Sequence, residues 1–530
     1  MNSTRANFGF HAPMADFAAL LTRVTELEET ATGAAPLRAA LDALLAQFPL
    51  CFGYWKRLAE LELAHDSEAA AVCVYERAAV PCAHSVDMWT LYCAHAVRHW
   101  AGRPDRVRTL FERAVPLVGS DYAADPFWDK YLSFEAGAAA ADPSADQSRL
   151  GALYVFILEL PLRCADAYWT RFVRFAATCG SSHHILDEAA ESRLKASLAS
   201  RGALPPAREG EDDQDDGARK LRVMALLEAS VASRGALLAE QVRLEAAVRR
   251  RHFHVRPLER SDLEAWRALL SWHEERSRGS SDEAEAALDA ACLAHERALV
   301  ACAAERELWL GYAFLLEARG RLEAARAVLR RASGVFFTRC VVTLLAHAAF
   351  EEEHSSTGAD LSEARRLCAA ATALRPPSLE AFLAQANLER RAGDAQRERG
   401  ALSAGAAVLH GDDLALLVRH AAAAERRLGG PSAELAGDVV ERALRRQPDN
   451  ELLWDVAVSC ALGELQGGGG DGCSVPGPLE GASAAVQAVA SIYERMLPRE
   501  TPLSAEAKRR AWVRYQMVRA PCPPPAVPSR

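Results

Sequence analysis

The sequence predicts an all-α fold, a two-arm superhelical solenoid built from stacked pairs of amphipathic helices. Three observations carry this. Ala and Leu dominate and β-branched residues are few, which favours helix throughout. Trp recurs at 55, 89, 128 and 169 and again at 266 and 309, at intervals of 34, 39, 41 and 43 residues. Each Trp opens an apolar stripe that one helix pair cannot hide alone, so the pairs must stack on one another.

Taken in order, residues 15–27 and 37–48 read as two amphipathic helices. The first full pair joins Tyr54, Trp55, Leu58 and Glu62 to a partner helix carrying Tyr75-Glu76-Arg77-Ala78. It recurs as Trp89 and Tyr92 with Phe111-Glu112-Arg113-Ala114, then as Trp128, Tyr131 and Glu135 with a helix over 148–160. A further copy opens at Tyr168, Trp169 and Phe172. From 179 to 220 the rhythm fails, and Pro205-Pro206 with the run from Glu209 to Gly217 reads as an exposed acidic linker. Leu221 to Arg251 reads as one long connecting helix.

The pattern restarts where Ser261-Asp-Leu-Glu264 predicts a capping box, followed by Trp266, Leu269 and Trp272 on one face. Trp309 and Tyr312 open the next pair. Glu317, Glu351, Glu389 and Glu425 then keep the spacing, at intervals of 34, 38 and 36, while smaller residues replace Trp. Trp454 opens a last pair, and a final helix over 504–517 carries Trp512 and Tyr515. The expected domains are an N-terminal arm, 15–180; an acidic linker with the start of the connecting helix, 181–239; a C-terminal arm, 240–518, with a Gly-rich insertion at 466–482; and a disordered Pro-rich tail, 519–530. Trp55, Trp89, Tyr92, Trp128, Tyr131, Trp169, Trp266, Trp309, Tyr312 and Trp454 are assigned to the repeat core. Glu62 with Arg77, Glu135 with Arg113 and Glu317 with Arg297 are the expected ion pairs.

The formal charge of −9 argues against wholesale phosphate binding. Arg249, Arg250, Arg251, His252 and Arg256 form the densest basic cluster. It reads either as a local grip on RNA or a partner's acidic tail, or as a helix C-terminus whose cations complement its dipole. The 13 Cys residues lack Cys-x-x-Cys spacing and read as reduced, packed thiols of an intracellular chain. The start shows no signal-peptide pattern, and the apolar run 340–350 is too short to span a bilayer.

The catalytic patterns are incomplete. Gly467-x-Gly469-x-x-Gly472 lacks a preceding strand, His273-Glu-Glu-Arg lacks a second His, and His183-His184 and His252/His254 lack a completing ligand set. No catalytic, cofactor or metal residue is assigned. A repeat-bearing transferase subunit would need a non-repeat catalytic stretch. A TPR-type adaptor would need a carboxylate clamp, for which the five Lys residues are a poor supply.

The repeat resembles the half-a-TPR, or HAT, repeats of RNA-processing scaffolds. Two segments narrow the resemblance: Pro49 to Glu62, and His252-Phe-His-Val-Arg256-Pro-Leu-Glu259 leading to Trp266. Both are similar to the pre-mRNA-processing factor 39 family, and Ser85 to Trp89 fits as well. The resemblance runs from about 40 to 460. It implies a non-enzymatic nuclear scaffold associated with the U1 small nuclear ribonucleoprotein and 5′ splice site recognition, without a cofactor. It also implies U1 proteins as partners and dimerisation, with itself or a related HAT protein, through the C-terminal arm. Trp512 and Tyr515 are the candidate dimer contacts. The alternative within the class is the HAT scaffold of mRNA 3′-end cleavage and polyadenylation.

Overall fold

The computed structural model describes residues 11–30, 33–141, 147–206, 216–233, 235–279, 282–355, 360–428, 433–466 and 480–519. Among them every assigned element is helical, and no helix is long and apolar enough to cross a membrane. The chain divides into two compact units, Met1–Tyr312 and Ala313–Arg530.

The first unit begins with α1 (His11–Glu29), α2 (Ala34–Gln47), α3 (Phe52–His65), α4 (Glu68–Ala78), α5 (Val86–His99) and α6 (Pro104–Val118). It continues through α7 (Asp125–Ala141), α8 (Ser148–Leu158), α9 (Ala165–Thr178), α10 (Glu188–Ser200), α11 (Asp216–Ser233) and α12 (Gly235–Ala247). Then come α13 (Arg260–Arg276), α14 (Asp282–Ala301) and the start of α15 (Arg306–Ala318). The second unit contains α16 (Leu322–Arg331), α17 (Val341–Glu353), α18 (Ser362–Ala373), α19 (Leu379–Ala392), α20 (Ala395–Val408) and α21 (Gly411–Leu428). It ends with α22 (Ala433–Arg446), α23 (Glu451–Gln466), α24 (Glu480–Met496) and α25 (Ala505–Arg519). Local signals set several starts. Ser67, Ser85, Ser378 and Asp394 accept from backbone amides of the first turns of α4, α5, α19 and α20.

Helix α7 shows how a pair docks on its predecessor. Trp128 is fully buried and its indole N–H donates to the Gly119 carbonyl at 2.9 Å, closing the loop that follows α6. One turn on, Tyr131 stacks on Phe111 of α6, centroids 4.4 Å apart and rings 2° from parallel. Another turn on, the Glu135 carboxylate meets the Arg108 guanidinium of α6 through bonds of 2.8 and 3.2 Å. The loop clasp repeats where Trp55, Trp89, Trp309 and Trp454 each donate to a carbonyl six residues back, at 2.8 to 3.1 Å. The stacking repeats in Tyr75 with Tyr92 and in His295 with Tyr312.

The structure corrects several expectations. Tyr168, 2% exposed, takes the core position in α9, and Trp169 is only partly buried beside it. In α13 the buried face is Trp266, Leu269, Leu270 and His273. Trp272 lies off that face, with the Arg276 guanidinium 4.7 Å from its ring, because six residues make about one and two thirds turns and leave the side chain about 120° away from Trp266. The capping box does not form. The helix starts two residues early, Glu259 is its cap residue without a side-chain bond, and Glu264 pairs instead with Arg260 at 2.8 Å.

Of the stretch read as a connecting helix, the described residues are helical over α11 and α12, residue 234 lies outside them, and the helix ends at Ala247 rather than at Arg251. The stretch read as linker holds α10, which is tied to α11 by the buried pair Glu191 and Arg219. Residues 207–215, the core of the Gly-rich insertion at 467–479, and 520–530 lie outside the described residues.

In the second unit the core thins chemically. Where α3, α5 and α7 use Trp, α17, α19 and α21 bury Leu344, Phe382 and Val418 against Ala-rich second helices. Gly405 of α20 is required by this packing, since a Cβ there would come within 2.9 Å of the Phe382 ring and 2.8 Å of Leu417.

Candidate partner-binding surface

Apart from Trp169, the aromatic residues assigned to the core are buried, and the second helices carry regular surface charges. Their most regular feature is a ladder of Arg–Glu pairs from the second helix of one pair to the first helix of the next. The rungs are Arg38 with Glu62, Arg108 with Glu135, Arg326 with Glu351, Arg365 with Glu389 and Arg399 with Glu425, 24 to 27 residues apart. Most are forked, with two guanidinium nitrogens on two carboxylate oxygens. The Arg38 hydrogen bond is the main cause holding the Glu62 carboxyl below its usual range.

A second set runs between consecutive second helices: Arg77 to Asp42 at 2.7 Å, Arg113 to Glu76 at 2.8 Å and Arg495 to Glu441 at 2.6 Å. The same guanidinium groups lie over the Trp of their own pair, Arg77 on Trp55, Arg113 on Trp89 and Arg495 on Trp454, at 5.3, 5.3 and 5.5 Å.

The expected ion pairs are therefore re-partnered. Glu62 takes Arg38 and Glu135 takes Arg108, because a first-helix Glu faces the pair before it. Glu317 takes His354 at 2.7 Å. Glu353 stands beside that pair, so three ligand-type atoms converge within 4.8 Å at a partly exposed spot. A spacing of about two dozen residues from each Arg to the next Glu was the signal available in the sequence for the ladder.

Arg297 belongs to a different device. Its guanidinium meets Asp121 at 2.6 Å and Glu245 at 2.7 and 2.9 Å. Glu245 also receives Arg251 at 2.6 Å, and the Arg251 guanidinium lies 5.1 Å from the Tyr122 ring. Burial alone would raise the Glu245 carboxyl, but Arg297 and Arg251 overcome it and hold it at about 2. Burial opposes the Arg297 charge, and Asp121 and Glu245 more than restore it. Both glutamate and arginine are buried, at 0% and 5% exposure. The node ties the loop between α6 and α7 to α12 and α14, so the pair α13–α14, placed by sequence in the second arm, lies in the first compact unit.

This node divides the basic cluster. Arg251 is engaged by Glu245, and Arg250 donates to the carbonyls of Arg256 and Pro257 at 3.1 and 3.2 Å. Helix α12 ends at Ala247, so the guanidinium groups fold back over an irregular turn rather than project from a helix end. Arg249, His252 and Arg256 remain exposed.

At the other end, Arg510 and Arg514 fasten α25 to α23 through Glu451 and Asp455, at 2.9 and 2.8 Å. Tyr515 turns inward at 5% exposure and donates to Glu494 at 2.8 Å. Trp512 turns outward at 49%, and Val513 and Met517 of the same helix are exposed as well. The two candidate dimer residues thus have opposite environments.

A family model described as the PRP39 N-terminal HAT repeat matches residues 10–174, and one described as the PRP39 C-terminal HAT repeat matches 239–391, together more than half of the chain. The chain belongs to the pre-mRNA-processing factor 39 family. The Schizosaccharomyces pombe Pre-mRNA-processing factor 39 is 28% identical over 67% of this chain and 56% of its own length. The Arabidopsis thaliana Pre-mRNA-processing factor 39-2 is 28% identical over 74% of this chain and 38% of its own. The chain thus spans about half the length of the curated family members it matches. A crystal structure of CstF-77 is 12% identical, with 90% of this chain and 92% of that chain covered at a TM-score of 0.44.

Proposed function

We propose that the chain is a non-enzymatic nuclear scaffold of pre-mRNA splicing, associated with the U1 small nuclear ribonucleoprotein during 5′ splice site recognition. The observation that carries this reading is the family match over both repeat regions, 10–174 and 239–391. The side-chain chemistry agrees with it. Conserving charge in paired rungs and rings in the core leaves broad polar edges for protein partners, over which recognition is distributed.

The arms over 15–180 and 240–518 are the proposed working divisions. The exposed residues Trp512, Val513 and Met517 on α25 are the proposed contact with a second copy or a related HAT protein. Arg249, His252 and Arg256 are the proposed place for a local RNA phosphate contact.

The test is to isolate the tagged chain from its native nuclei at mild salt and identify the bound RNA and proteins. Enrichment of U1 RNA with its core proteins is expected. Enrichment of cleavage and polyadenylation factors in their place would overturn the assignment and move the chain to 3′-end processing.

A further inference from the structure

The motif Glu-Arg-Ala or its close variant recurs in the second helices, and in three of them the Arg is held from two sides. Arg77, Arg113 and Arg495 each lie on a Trp ring of their own pair and bond a carboxylate of the preceding second helix. Arg442, in Glu441-Arg442-Ala443 of α22, stands at the same place in its repeat.

Both supports are missing there. The ring position is Val418, seven residues before Glu425 as Trp55 precedes Glu62 and Trp128 precedes Glu135. The carboxylate position is Ser403, four residues after the rung residue Arg399 as Asp42 follows Arg38. Among the described residues, the bond recorded for Arg442 goes to the Asp438 carbonyl of its own helix, at 3.3 Å. Its neighbour Arg446 bonds the Ala406 carbonyl and stands 3.2 Å from the His410 Nδ1, again without a carboxylate.

The space beside these residues is larger than in the matching groove that holds a Trp, about 600 against about 460 Å³. A groove of about 600 Å³ runs between α20, α21 and α22, walled by Leu402, Ala406, Ala407, Ala421, Val439 and Ala443. The corresponding groove of the first unit, between α6, α7 and α8, is lined by Trp128, Tyr131 and Phe156.

We propose that this groove binds an acidic segment of a partner protein that supplies both absent groups. An aromatic side chain enters between the alanines and lies against the Arg442 guanidinium, as Trp89 lies against Arg113. A neighbouring carboxylate takes the place of Glu76 on Arg442, and a second one pairs with Arg446. Charge and shape agree on this occupant, since Arg442 and Arg446, with no carboxylate partner among the described residues, border an apolar slot whose own carboxylate, Glu425, is already engaged by Arg399. An RNA strand fits less well, because the slot offers alanine walls and no aromatic platform on which bases could stack. The inference rests on the scaffold reading only in taking a protein as the occupant, and it holds whichever complex recruits the chain.

The test uses the purified full chain and fluorescein-labelled short peptides with Trp, Phe, Leu or Ala at the centre, flanked by Asp and Glu or by Lys. A uridine oligonucleotide serves as the rival probe, and binding is read by anisotropy. The acidic Trp and Phe peptides are expected to bind, and an Ala centre or Lys flanks to weaken binding by about tenfold or more. Arg442→Glu should do the same. Ser403→Glu should also weaken binding while leaving the melting temperature unchanged or higher, because it rebuilds the internal bridge seen between Glu76 and Arg113.

Failure of every acidic aromatic peptide to bind would overturn the proposal, as would binding indifferent to both substitutions. Capture of the uridine oligonucleotide through Arg442 in place of the peptides would overturn it as well. A chain that binds the peptides but fails to recover U1 RNA from nuclei would sink the splicing assignment and leave this site standing.

Discussion

The guanidinium of Arg297 and the carboxylate of Glu245 face each other through two hydrogen bonds, 2.7 and 2.9 Å, with both side chains out of reach of solvent. Removing either leaves the other buried with a single remaining partner, Asp121 for Arg297 and Arg251 for Glu245. Arg297→Ala or Glu245→Ala should therefore destabilise the first unit by about 3–5 kcal/mol, seen as a lower midpoint in urea unfolding. Arg297→Met combined with Glu245→Leu should recover part of that loss, because it removes both charges together.

Acid should weaken the same region in two stages. His273 is buried, neither ring nitrogen has a hydrogen-bond partner, and burial followed by the nearby Arg297 charge holds its pKa at about 4. The unfolded chain takes up this proton first, so stability falls as pH drops from about 6.5 to about 4, by about 3 kcal/mol in full. Glu245, at about 2, adds a second loss as pH falls from about 4.5 towards 2. Unfolding curves of wild type and His273→Leu between neutral pH and about 4.5 check the first stage. The variant should show a flatter dependence.

Gly151 of α8 touches the turn at His184 so closely that a Cβ would lie 1.9 Å from that carbonyl oxygen. Gly151→Ala should cost about 1–3 kcal/mol by forcing the backbone apart. Gly53→Ala, where nothing lies within 4 Å, should be neutral or stabilising. Thermal melts of the two variants side by side separate helix propensity from packing.

Trp89 and Trp512 should respond in opposite ways. Trp89→Phe keeps a buried ring but orphans the Ala83 carbonyl, and should cost about 1–3 kcal/mol of stability. Trp512→Glu, on an exposed face, should leave the melting temperature almost unchanged and lower the mass measured by light scattering if α25 joins two copies.

The helix pairs and their order were legible in the sequence because Trp and Glu recur at repeat spacing and mark the first helix directly. Tyr168 was harder to read, since adjacent aromatic residues give the same signal at a one-residue offset and only the helix phase chooses between them. The pairing of charges was not legible from proximity in the motif. Arg77 and Glu62 are near neighbours in the repeat, yet each bonds the pair before it.

One pairing inside the basic cluster was not legible either. Arg251 meets Glu245 across a backbone turn that no local pattern encodes, and the composition of the segment resembles that of a free cationic patch. The groove at Arg442 could have been noticed from sequence as an Arg whose repeat lacks both Trp and acid, although its volume required the fold.

The Trp clasp also governs where the chain can grow. It spans six residues at the entry to α3, α5, α15 and α23, so the connection arriving at each of these helices has a fixed length. Among the described residues no turn inside a pair carries a six-residue clasp of this kind, and the Gly-rich insertion falls in such a turn, between α23 and α24. Added sequence is therefore accommodated between α23 and α24 and excluded from the four six-residue entries. A foreign epitope grafted between α23 and α24 should be displayed without loss of folding, whereas the same graft between Ala83 and Trp89 should unseat the helix that follows.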